Sequence, residues 1–162
     1  MTTTVLTCAL LAGCWSAPEP PRAGLVGLRL TDGAPEFWAG RDCAGVGAVE
    51  VQAEGPAGSQ SWTASAGGGG GAFETLVLGV PPAGFTSTDP TPDWAAADEV
   101  SVTVRDPEGR TYHRSTWQLE EIAESAGHEG QWLTTTGRWV GQDEVDELAD
   151  QGLHAPLCGS AG

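Results

Sequence analysis

Hydrophobic side chains recur at alternate positions in several separate stretches of the chain. Val26, Leu28 and Leu30 are separated by Gly27 and Arg29, and Val49 and Val51 alternate with Glu50 and Gln52. Leu76, Leu78 and Val80 are separated by Val77 and Gly79, and Val100, Val102 and Val104 by Ser101 and Thr103. A period of two sends successive side chains to opposite faces of an extended backbone. Each stretch therefore reads as a half-buried antiparallel strand. Residues 59–65, centred on Trp62, and 131–139 predict two more strands. Asp106-Pro107-Glu108-Gly109 has Pro second and Gly fourth, which suits a type I turn, and pairs strand 99–105 with 110–117 as a hairpin. The five glycines at 67–71 read as the flexible tip of another hairpin. A phosphate-cradling loop would need a Lys and a following helix, and the chain has no Lys.

Near the C-terminus the period becomes helical. Residues 117–126 place Leu119, Ile122 and Ala123 at helical spacing, with Glu120 and Glu121 in the first turn and Gly127 as a stop. Residues 142–151 place Val145, Leu148 and Ala149 on one face, with Asp143 and Glu144 at the positive end and Gly152 beyond it. The expected fold is mainly β: an antiparallel β-sandwich of about seven strands with one or two short C-terminal helices. In strand number and length alone it resembles immunoglobulin-like sandwiches.

A chain of 162 residues fits one domain of ordinary size. Its formal charge of −15 narrows the partners. No basic stripe exists to replace the counterions of a phosphate backbone, so no nucleic acid is expected. Charge would likewise not hold it to an anionic bilayer, and no apolar run reaches the length of a spanning helix. The core is expected to be thin, because Leu, Ile, Val and Phe make up about 18% of the chain. Seven Trp supply large apolar area against that shortage.

The N-terminal stretch is apolar and small from Val5 to Ala12, followed by Gly13 and Cys14. Leu11-Ala12-Gly13-Cys14 resembles the bacterial lipoprotein box. The resemblance implies that residues 1–13 are a signal peptide and that Cys14 carries a thioether-linked diacylglycerol as the new N-terminus. Residues 14–24, with Pro18, Pro20 and Pro21, would be a semi-rigid tether. Residues 25–162 would form a single β-sandwich domain. The lipobox, the alternating strands and the Trp38…Cys43 stretch with a late Cys158 make the chain similar to small lipoproteins of high-GC, actinobacterial-type bacteria. That resemblance brings no activity with it.

Export would place the remaining cysteines in an oxidising compartment. Cys8 leaves with the signal, Cys14 takes lipid, and Cys43 and Cys158 are expected to form a disulfide. A catalytic thiol is the alternative. Zinc lacks a second ligand at the right spacing from either cysteine, and no metal or cofactor is expected.

No residue is assigned a catalytic role. His113 shares a strand face with Thr111, Ser115 and Trp117, while His128 and His154 lie in a loop and the tail. None forms a paired metal motif, and no G-x-S-x-G elbow is present. The acidic run Asp143, Glu144, Asp146, Glu147, Asp150 lacks calcium-loop spacing and reads as a solvated helix face. Trp38 and Trp94 lie near Pro35 and Pro92 in expected loops, where they would be exposed as a ligand patch. The competing reading is that the tryptophans fill the core.

The expected function is a non-catalytic binding or structural module, lipid-anchored on the outer face of the cytoplasmic membrane and contacting an envelope polymer or envelope protein. The alternative is an extracytoplasmic hydrolase using His113 or His128 with a nearby carboxylate. Cys14→Ala is expected to move the protein from the membrane fraction to the soluble fraction on cell fractionation. Unchanged membrane retention would remove the anchor.

Overall fold

The computed structural model describes residues 25–124, 127–150 and 157–158. Cys14, the stretches expected to be a signal segment and a tether, and His154 lie outside the described residues. Among the described residues ten strands form two antiparallel sheets of five. In chain order they are β1 (Gly27–Thr31), β2 (Ala34–Val46), β3 (Ala48–Gly55), β4 (Gly58–Ala66), β5 (Gly71–Val77), β6 (Phe85–Thr86), β7 (Glu99–Arg105), β8 (Thr111–Gln118), β9 (Trp132–Thr134) and β10 (Trp139–Val140). Two helices, α1 (Leu119–Ala123) and α2 (Gln142–Asp150), follow β8 and β10. The first sheet has the order β10-β9-β1-β2-β5 and the second β6-β4-β3-β7-β8.

The expected sandwich is therefore present, with more strands than the alternation predicts. β2 is the main addition. Its period is broken by Gly40 and Gly45, which take φ of 82° and 70°. The pairing with β5 shifts register between Trp38 and Cys43 and again between Ala44 and Val46. Such bulges insert unpaired residues that hide a strand from a period-two reading. β1 and β2 are joined by Asp32-Gly33, both at positive φ, the two-residue turn whose twist matches a hairpin. The stretch 131–139 splits into β9 and β10 around a turn in which Thr134 N–H donates to the Arg138 carbonyl.

Three further expectations are corrected. Residues 67–71 are not a hairpin tip, because β4 and β5 belong to different sheets and the glycines carry the chain between them. Val80 does not continue a strand face. β5 stops at Val77 and the chain turns, leaving Val80 56% exposed. Trp117 is not helical: β8 runs through Gln118, and α1 begins at Leu119.

The inward faces follow the alternation. Val49, Val51, Trp62, Val100, Val102 and Val104 of the second sheet meet Leu28, Phe37 and Leu76 of the first in one core. A second core lies on the other face of the first sheet. There Trp38 and Trp132 stack at 5.7 Å between ring centroids, covered by Val140 and by Val145 of α2. Trp38 is 0% exposed, so the expected exposed loop position is corrected. Consecutive strand residues face opposite ways, so Phe37 enters the main core and Trp38 the second one.

Cys43 and Cys158 are both buried and joined by a disulfide, with Cα atoms 5.0 Å apart. The bond closes a loop across a sequence separation of 115. The chain-entropy account assigns a closure of that length about 4–5 kcal/mol. Reduction, or Cys158→Ser, is expected to lower the unfolding free energy by that order, read as a lower urea midpoint. A variant that unfolds at the wild-type midpoint would show that the bond contributes nothing.

Candidate functional site

A concavity with a volume of about 690 Å³ lies beside the β1–β2 turn. Leu30 and Gly33 form one wall. A short 3-10 turn, Trp94–Ala96, with Ala97 and Asp98 after it, forms the second. Gln118, Leu119, Glu120 and Ala123, at the β8–α1 junction, form the third.

Local chemistry fixes each wall. Asp93 caps the 3-10 turn: its carboxylate accepts from Ala95 N–H at 3.2 Å, and its own N–H donates to Gln60 Oε1 at 2.9 Å. The turn lies against the β3–β4 connection so closely that a Cβ on Gly55 would collide with the Ala96 carbonyl. Asp98 N–H donates to Glu54 O at 2.8 Å, and Asp98 O accepts from Leu119 N–H at 2.7 Å. The β7–β8 register, with Glu99 opposite Gln118, brings these walls together.

The cleft is apolar along Leu30, Ala95, Ala97, Leu119 and Ala123. Its charged residues are Asp98 and Glu120, both exposed at the rim. Among the described residues neither carboxylate has an ion-pair or hydrogen-bond partner. Gln118 already donates to Glu99 at 2.7 Å. Trp94 is partly buried, and its indole N–H is buried without a protein acceptor among the described residues. An apolar hollow of this size with a few polar groups is the usual form of a small-ligand site.

Of the expected patch, Trp94 lines the cleft and Trp38 does not. Trp38 is sealed under α2 in the second core. His113 is half-buried on the inward side of β8, with Nε2 against Ser115 Oγ. His128 Nδ1 meets Gln131 Oε1 at 2.7 Å, and its ring stacks on Trp139 at 4.7 Å. Among the described residues neither ring bonds a carboxylate. No group of three or more His, Cys, Asp or Glu is placed there to hold a metal.

The residues that sequence reasoning missed are Asp98, Gln118, Leu119 and Glu120. No signal in the sequence finds them: counting outward from the Asp106–Gly109 turn puts Glu99 beside Thr116, and the β7–β8 register, which shifts between Val104 and Arg105, sets it opposite Gln118 instead. Comparison with known proteins finds no matching family model, no matching curated protein and no matching solved structure.

Burial lowers the His113 pKa from its ordinary 6.5. The unfolded chain therefore takes up a proton on this ring at a pH where the folded protein leaves it neutral. The associated stability is complete above pH 6.5 and declines as pH falls through the unfolded value toward the folded one. Urea midpoints are expected to fall from about pH 7 to about pH 5, and His113→Gln to flatten most of that decline. An equal slope in the variant would assign the pH response elsewhere.

Proposed function

We propose that this protein is a non-catalytic binding module of the cell envelope, held by lipid on Cys14 at the outer face of the cytoplasmic membrane, with the Trp94 cleft as its binding site. The observation that carries the reading is the cleft itself: three chain segments distant in sequence converge on one apolar hollow with a polar rim. The lipobox resemblance and a buried Cys43–Cys158 bond agree with an exported chain. Stable anchoring takes more than one acyl chain, and a diacylglycerol on Cys14 would supply two. A charge of −15 would keep the domain off anionic headgroups, so the proline-rich tether would hold the cleft in solution above them.

The histidines do not favour hydrolysis. A general base needs a partner that orients it and a nucleophile it can deprotonate. Among the described residues His113 reaches Ser115 without an orienting acid, and both sit on the inward face of β8, where Ser115 is buried. Among the described residues neither of the pair lines the cleft.

The full-length protein carrying a photo-cross-linking residue at Ala95 tests the assignment in intact cells. An envelope component is expected to cross-link there and not from the exposed Glu74 of β5, and Trp94→Ala is expected to abolish the adduct. Equal adducts from both positions, or none from Ala95, would count against the cleft.

A further inference from the structure

We infer that the cleft takes a small organic cation: a protonated amine on an apolar body. This rests on the cleft being the binding site and adds the chemistry of its ligand. The argument is one of donors and acceptors. Asp98 and Glu120 offer four carboxylate oxygens with no partner among the described residues, and no Arg or His lines the hollow. The side-chain donors are occupied or enclosed: Gln118 gives its amide to Glu99, and the Trp94 N–H is buried. The side chains at the rim thus accept hydrogen bonds and offer almost none.

An ammonium group is the reverse, with three donors and no acceptor. A carboxylate ligand would meet like charge. A polyhydroxylated ligand would press several hydroxyls against Leu30, Leu119 and three alanines, where each would go without a partner. An apolar stem suits those walls, and an aromatic side chain such as Trp94 is a favourable neighbour for a cation. The charge of −15 raises the concentration of cations near the surface before any contact forms.

The test uses the full-length 15N-labelled protein in a non-ionic detergent. The Trp94 indole cross-peak is assigned by its loss in Trp94→Phe. Phenethylamine, 2-phenylethanol and phenylacetate are then titrated separately. Phenethylamine is expected to shift the peak at least ten-fold more tightly than 2-phenylethanol, with no shift from phenylacetate. The margin should narrow as salt rises. Asp98→Asn with Glu120→Gln is expected to bring the amine down to the alcohol's level. Glu74→Gln with Asp143→Asn changes the net charge equally but lies away from the cleft, and should leave most of the margin intact. Equal binding of amine and alcohol overturns the cation while leaving the hollow as a binding site. An equal loss from both double variants also overturns it, because bulk charge would then account for the preference. No shift with any of the three ligands overturns the amine assignment, and the Ala95 cross-link decides the cleft independently.

Discussion

The indole of Trp117 holds the two sheets to one another. It belongs to β8, the edge strand of the second sheet, yet its Nε1 donates at 3.0 Å to the carbonyl of Leu133 in β9 of the first. Its ring also meets Phe37 of β2 edge-on at 6.0 Å. Both contacts are inside the sandwich, where a donor left without an acceptor costs about 1–3 kcal/mol. Two residues further on, the same strand delivers Leu119 to the cleft. The third wall of the hollow is thus placed by an inter-sheet bond, and the β7–β8 ladder sets its distance from Asp98.

Around that bond the protein manages with few large aliphatic residues. Valines at alternate positions of β3 and β7 form a flat layer, and Trp62 and Trp117 fill the space that leucines occupy elsewhere. The first sheet is buried on both faces where Trp38 and Trp132 stack beneath α2. Arg29 lies over the Trp132 ring at 3.9 Å while its guanidinium bonds Glu36 at 2.8 Å. The turn at Asp106 adds a polar counterpart. Burial pushes its carboxyl pKa up, but bonds from the backbone N–H and guanidinium of Arg110 outweigh that and hold it below its ordinary value.

Legibility in the sequence followed physical regularity. β3, β7, β8 and the turn between β7 and β8 could be read because period and turn chemistry agree there. β2 could not, because Gly40 and Gly45 shift its register and Pro35 stands near its start. Trp38 reads as a loop residue for the same reason: it stands three positions after Pro35 in a strand that the alternation does not reveal. Trp94 was legible as a partly accessible aromatic, since Pro92 and Asp93 mark a short capped turn. Asp98 and Glu120 were not, because their proximity depends on hairpin register instead of local sequence.

The covalent bond from Cys43 has a mechanical consequence. A domain tethered through residue 24 would feel any drag on its ligand as tension entering at Leu25. Only residues 25–42 precede the closed ring that runs from Cys43 to Cys158. They could be drawn out by about 60 Å at most before the pull met a covalent junction. Leu30 and Gly33 lie within that short leader, so the first part of the protein to yield under load would include a wall of the cleft, and the grip on the ligand would loosen before the ring was strained.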